Sequence, residues 1–225
     1  MRALIALTAA MLLLTACQNA RNFQRPDPDG LQLGEVTKEE IVKIYGPPAQ
    51  QRTQVVSAPA ASPSAAAADQ KPVVSGTFTT YNYLYRNPGE VFMRGNLAGE
   101  KILVFEFFNE KLFAYNFVSD VEADNSNFDE SNISRLENGR TGRDEIEALL
   151  GTPTGRGTFP AAPPGNEKLT YQYVTTSTTQ LEMKRLDMFL DDKGILQNFG
   201  FDSRVIPYRA PASAPMPVFI PPPVR

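Results

Sequence analysis

The chain of 225 residues has no histidine and only one cysteine, Cys17. Without histidine there is no Ser-His-Asp or Cys-His nucleophile system, no His-ligated zinc or haem, and no ordinary proton switch near neutral pH. A lone cysteine excludes an intramolecular disulfide and any multi-cysteine cluster. Positive charge is scarce as well: 22 Lys and Arg stand against 25 Asp and Glu, a formal net charge of −3. Nothing is in excess to neutralise phosphates, so nucleic acid is not an expected partner. No metal, no cofactor and no catalytic residue is expected. What remains is an ordinary globular composition, 42% hydrophobic and 21% charged, long enough for one or two domains.

Residues 1–16 begin Met1-Arg2, continue as an apolar run from Ala3 to Leu14, and end at Thr15-Ala16. One positive residue before about a dozen apolar ones is the pattern of a secretory signal, too short to span the roughly 30 Å of a bilayer core. The small residues Thr15 and Ala16 lie directly before Cys17. Leu14-Thr15-Ala16-Cys17 resembles a bacterial lipobox, whereas an ordinary signal peptide with an incidental cysteine would leave the thiol free. The resemblance implies cleavage before Cys17 and two or three acyl chains on it, palmitate among them. More than one chain makes a stable membrane anchor. Gln18, where an aspartate would imply inner-membrane retention, implies transfer to the outer membrane, facing the periplasm.

Composition divides the rest. Residues 17–30 are polar and proline-punctuated and read as a lipidated tether. Residues 57–72 are rich in alanine, serine and proline and read as a solvated insert. Residues 120–131 read as a solvated acidic linker. Residues 207–225 carry prolines 207, 211, 215, 217 and 221–223, which exclude helix and central strand and predict an extended tail.

An internal repeat organises what lies between. Gly34 to Pro48 aligns without gaps on Gly139 to Pro153. Further blocks follow in the same order: Tyr81-Asn82-Tyr83 with Tyr171-Gln172-Tyr173, Phe107 to Lys111 with Phe189 to Lys193, and Asn116-Phe117 with Asn198-Phe199. Thr37 and Glu40 have the spacing of a capping box, and Thr141 with Asp144 offers a weaker cap. Ile41 and Ile44, like Ile146, Leu149 and Leu150, fall on one helical face; Gly46 and Gly151 then stop the helix and Pro48 and Pro153 keep it stopped. A further helical turn is expected around Asn132 to Glu137. Strands are expected over 79–85, 101–108 and 111–118, and over 169–176, 183–190 and 195–201. The predicted fold is α+β: two tandem units, residues 31–119 and 132–206, each a short helix on a three-stranded antiparallel meander.

A helix ending in Gly-x-Pro, two strands, Asp191-Asp192-Lys193-Gly194 and a third strand, all behind a lipobox, resembles the SmpA/OmlA (BamE-like) outer-membrane lipoproteins. Leu149-Leu150-Gly151-Thr152-Pro153 and Asp191-Asp192-Lys193-Gly194 are the closest matches. The paired arrangement also resembles the β-lactamase-inhibitor-protein-like fold, whose sheet surface binds another protein. The first resemblance implies partners among envelope proteins, the β-barrel assembly machinery included. The two units, the insert, the proline-rich tail and the lack of tryptophan depart from that family.

The candidate contacts are Tyr81, Tyr83, Tyr171 and Tyr173, whose i, i+2 spacing aims each pair at one sheet face. They form either an aromatic partner-binding patch or the packing beneath the helices. Phe105, Phe107, Phe108, Phe113, Tyr115 and Phe117 make both faces of the first unit aromatic, and packing of one unit on the other is expected to cover the second face. Asp120, Glu122 and Asp124 have the opening spacing of a calcium loop, but Asn125 and Ser131 stand where that loop needs glycine and glutamate. Gly151 to Gly157 lacks the Gly-Lys-Ser/Thr ending of a phosphate loop and reads as helix stop and loop. Glu106 with Glu110, or Glu182 with Asp187, are acid pairs that nothing places around a cleft. The expected function is a non-catalytic binding or assembly module of the envelope. The alternatives are a periplasmic enzyme inhibitor binding through its sheet, and a carboxylate-dependent cell-wall hydrolase.

Overall fold

The computed structural model describes residues 22–56, 75–87, 99–177 and 179–207. The signal segment, Cys17, the insert at 57–72 and the tail beyond Pro207 lie outside the described residues. The first capping box forms: the Thr37 hydroxyl accepts the Glu40 amide at 3.3 Å and the Glu40 carboxylate accepts the Thr37 amide at 2.7 Å. Helix α1 then runs Lys38–Tyr45. Helix α2, Arg143–Leu150, starts from Gly142 with no side-chain cap. Thr141, expected to cap it, accepts the Glu137 amide instead. Both helices stop on a glycine of the same conformation, Gly46 at φ 81°, ψ −173° and Gly151 at φ 79°, ψ −169°, a region essentially restricted to glycine. A 3-10 helix at Glu130–Arg135 supplies the extra turn expected before α2.

Eight strands make one antiparallel sheet in chain order: β1 Gln50–Val56, β2 Gly76–Arg86, β3 Glu100–Phe108, β4 Lys111–Ser119, β5 Gly155–Gly157, β6 Glu167–Thr176, β7 Gln180–Leu190 and β8 Leu196–Pro207. The chain is therefore mainly β, with a few short helices. This corrects the expected α+β fold of two tandem units on three-stranded meanders. Two strands escape the sequence pattern. β1, Gln-Gln-Arg-Thr-Gln-Val-Val, is a polar edge strand exposed along almost its whole length, so no alternation marks it. β5 is three residues of the segment that reads as a loop, yet it pairs with both β4 and β6. The two halves thus join edge to edge in one sheet, and face-to-face packing of one unit on the other does not occur.

The duplication is visible in matching contacts. The Tyr83 hydroxyl donates to the Gly46 carbonyl at 2.8 Å, and the Tyr171 hydroxyl donates to the Gly151 carbonyl at 2.7 Å. Gly34 donates to Leu112 as Gly139 donates to Leu196, and Leu112 donates to Val36 as Leu196 donates to Thr141. Tyr83 therefore corresponds to Tyr171, and Leu112 to Leu196. The blocks matched by sequence are therefore two residues out of register at Tyr81–Tyr83 and Asn116–Phe117, and one residue out at Phe107. Hairpin length contributes one residue of difference: the equivalent pairs Phe107–Leu112 and Leu190–Leu196 enclose residues 108–111 and 191–195. Aligning the similar Asn-Glu-Lys and Asp-Asp-Lys turns hides that difference.

Residues 22–30 are not a free tether. Phe23 is buried, edge-on to Tyr83 and Phe117 with ring centroids 6.4 Å apart in each case. Arg25 lies 5.4 Å over the Phe117 ring and donates to the carbonyls of Asn125 and Thr152. Arg156 donates to the Pro28 carbonyl at 2.9 Å. The segment is a strap laid from the first half to the second. The acidic linker is packed as well: Val121, Ser126 and Phe128 are buried, Asp120 accepts the Glu100 amide at 2.9 Å, and Asp124 pairs with the buried Lys101 at 3.1 Å. Aromatic and small apolar residues hidden among the acids draw it down. Two hydrophobic clusters result, one around Ile41, Phe105 and Phe117, the other around Ile146, Tyr171 and Met188.

Candidate functional site

Strand alternation divides the sheet into unlike faces. On the helix side Tyr81, Tyr83, Leu103, Phe105, Phe107, Tyr115 and Phe117, with Leu169, Tyr171, Tyr173, Leu186, Met188 and Leu190, are all buried. The four candidate tyrosines therefore lie in the core beneath the helices, and a direct contact patch built from them is not available. Burial raises the Tyr83 and Tyr171 phenols well above their ordinary range. Tyr115 shifts the same way for the same reason, and its hydroxyl has no hydrogen-bond partner among the described residues.

Among the described residues no helix lies on the opposite face. Two rows of residues cross it through all eight strands. One reads Arg52, Thr80, Glu106, Ala114, Gly157, Lys168, Phe189, Asn198; the other reads Gln50, Asn82, Val104, Asn116, Gly155, Thr170, Asp187, Gly200. Where the halves join, Ala114, Gly155 and Gly157 carry little or no side chain; the Ala161 methyl lies over Gly157, and the trough lies over Gly155 beside Asn116. Gly155 cannot be otherwise, because a Cβ there would lie 2.5 Å from the Tyr115 carbonyl oxygen. The trough has a polar border. Asn116 donates to Gln172 at 2.7 Å, and Thr170 and Arg185 each donate to the Asp187 carboxylate at 2.9 Å. Lys168 pairs with Asp187 at 3.2 Å and lies 5.8 Å over the Phe189 ring. The buried Thr154 hydroxyl donates to the Thr170 carbonyl and accepts the Gln172 amide, which fixes β6 against the join.

The two carboxylates of this face sit in opposite states. Burial works against the charge of Asp187, but the Arg185 hydrogen bond, the Lys168 and Arg185 charges and the Thr170 hydroxyl outweigh it and hold the group below the usual carboxylate range. Burial pushes Glu106 up, only partly offset by Lys168 and Arg185. Around this polar centre lie Leu84 and Ile102, both exposed, and an aromatic cluster of Phe78, Phe108 and Phe113 with centroids 5.0 and 5.9 Å apart. Phe108, expected to be covered by the second unit, is half-buried on this face beside Phe78, and Phe113 is buried edge-on to Phe78. Sequence reasoning counted the aromatics but missed the polar trough; its signal was the Gly-Arg-Gly of β5 beside Asn116 and Thr154.

The other sequence candidates do not assemble. Glu110 sits in the β3–β4 turn and pairs with Lys38, far from the Glu106 face, and Glu182 projects to the face opposite Asp187. Among the described residues no group of three or more Cys, Asp or Glu side chains could hold a metal. An open cleft of about 970 Å³ at the start of α2 is lined by Asp144, Glu145, Glu167, Asp191 and Asp192 among others. Two of these carboxylates are committed: Glu167 pairs with Arg143 and Arg156, and Asp191 accepts the Lys193 and Ile195 amides of its own turn.

No family model matches the chain, and no curated protein matches it. A solved Streptococcus mutans structure, provisionally named a β-lactamase inhibitor protein, is similar over 77% of this chain and 91% of its own, at 11% identity and a TM-score of 0.39. A likeness that distant carries no statement about what this chain does.

Proposed function

We propose that this chain is a non-catalytic binding module of the bacterial envelope, anchored to the outer membrane through acyl chains on Cys17, that engages a partner protein across the helix-free face of its sheet. One observation carries the reading: of two faces, one is sealed by helices and strap, and the other offers a polar trough bordered by Leu84, Ile102 and an aromatic cluster. That mixture of large apolar contacts and fixed polar groups suits protein recognition. The anchor leaves this face free. Only residues 18–21 separate Cys17 from the described chain, a reach of about 18 Å at most, and the strap that follows lies on the helix side.

Photo-crosslinking residues placed singly at Thr80, Val104 and Gln172 are expected to capture one and the same protein in intact cells, while the same probe at Glu39 and Glu147 on the helices captures none. Equal capture from both faces, or none from either, would refute the assignment of the face. A carboxylate-dependent hydrolase is the second reading, favoured by the acidic cleft at α2; purified protein that degrades peptidoglycan, and loses that activity with Asp144→Asn, would establish it instead.

A further inference from the structure

Strand β8 is long, lies at the edge of the sheet, and is exposed at every residue from Phe201 to Pro207. Phe201, Val205 and Ile206 are 40%, 58% and 44% exposed. Natural edge strands are usually short, charged or bulged to prevent such exposure, as the polar β1 at the other edge illustrates. The direction of the free backbone groups follows from the β6–β7 turn. Ser177 donates its amide to the Gln180 carbonyl at 2.8 Å, so Gln180 faces β6. Alternation then turns Leu181, Met183, Arg185 and Asp187 toward β8, where their partners are Ile206, Arg204, Asp202 and Gly200. The intervening residues Phe201, Ser203 and Val205 therefore point their amides and carbonyls away from the sheet.

We propose that β8 pairs antiparallel with β8 of a second copy of this chain, about a two-fold axis at Ser203, so that two eight-stranded sheets become one. In that register Ser203 meets Ser203 once, on the axis, while Phe201 meets Val205, Asp202 meets Arg204, and Gly200 meets Ile206, each of these three contacts occurring twice by symmetry. Every residue whose backbone groups point outward falls in a hydrogen-bonded pair. The exposed Phe201 and Val205 cover one another on the helix side. On the open side Asp202 and Arg204, which in the single chain pair with each other at 2.8 Å in full exposure to solvent, each gain an opposite charge on the neighbouring strand. Ile206 lies over Gly200, beside which a Cβ would find nothing within 4 Å. Moving the axis by one residue would keep the faces matched but set Arg204 against Arg204 or Asp202 against Asp202, and moving it by half a residue would bring opposite sheet faces together.

The test uses the full chain in detergent at about 100 µM. Sedimentation is expected to give a dimer mass. D202R and R204D each turn two attractive cross-strand pairs repulsive and raise the dissociation constant by roughly tenfold or more, and D202R/R204D restores dimerisation because the pattern is again self-complementary. S203C is expected to form an intermolecular disulfide on oxidation while the parent chain does not, since facing residues of such a pair are within bridging distance. Circular dichroism of each variant checks that the sheet is intact. A monomer at this concentration, a dimer indifferent to both single charge reversals, or a failure of the double reversal to restore it would each overturn the proposal.

Discussion

Asp187 and Glu106 border one trough, and their different partners give opposite dependences on pH. The Asp187 pKa is depressed in the folded chain, so its contribution to stability is fully present above the unfolded carboxylate value and is lost as pH falls through the folded one. Asp187→Asn is expected to lower stability by roughly 1–2 kcal/mol at neutral pH, because it removes the negative charge that Arg185 and Lys168 pair with, and to cost little in acid. Glu106 is raised by burial, so its ionisation opposes folding as pH rises through its folded pKa. Glu106→Gln is therefore expected to be neutral in acid and stabilising at pH 7. Chemical denaturation at two pH values measures both. A Glu106→Gln variant that loses stability at neutral pH would contradict the burial argument.

At the scale of the element, the strap and the insert make a contrast. Phe23 is part of the first core although it precedes the folded unit read from the sequence. Phe23→Ala is expected to cost about 3 kcal/mol, the usual loss for a large buried ring. Deleting Pro59–Ala68 is expected to change stability by well under 1 kcal/mol, since loop-closure entropy varies only with the logarithm of length. The shortened β1–β2 connection would then match the β5–β6 connection, which needs only residues 158–166. Thermal melts of the two variants side by side read both, and a deletion as damaging as Phe23→Ala would break the correspondence between the halves.

The same contrast marks what is legible in the sequence. Thr37 with Glu40, the helix-ending glycines and the alternating strands at 79–85, 101–108, 169–176 and 183–190 report local physics, and each forms where expected. β1 has no buried side to create a pattern, β5 is held by hydrogen bonds to neighbours distant in sequence, and the strap gains its place only once Tyr83 and Phe117 are beside each other. Candidate contacts fail for the same reason. Tyr81, Tyr83, Tyr171 and Tyr173 show which residues share a face, but not that the helices lie on that face. The trough opposite exists only because Ala114, Gly155 and Gly157 meet across β4 and β5.

On the scale of the whole molecule, the single sheet holds two separate cores, with no buried residue common to both clusters. Several links join them, among them backbone hydrogen bonds from Phe117 to Thr154 and from Thr158 to Phe113 and a side-chain bond from Thr175 to Asp120, and three others stand out. One is the ladder through the three residues of β5; the second is the Asn116–Gln172 hydrogen bond at 2.7 Å; the third is the strap, through Arg25 to Asn125 and Thr152 and through Arg156 to Pro28. Cooperative unfolding of a domain requires that loss of one part destabilise the rest. A three-residue strand is a narrow bridge for that purpose, so much of the coupling falls to the side chains. The intact chain is expected to unfold in one calorimetric transition. Arg25→Ala combined with Asn116→Ala removes a link on each face of the sheet while keeping every apolar side chain of both cores, and it is expected to split that transition in two, with the calorimetric enthalpy exceeding the van't Hoff value. Phe23→Ala, which weakens the first core itself, serves as the control that lowers stability without removing the cross-links of Arg25. If the double variant still unfolds in a single step at an unchanged midpoint, the β5 ladder and the remaining hydrogen bonds around it unite the halves, and neither Arg25 nor Asn116 couples them.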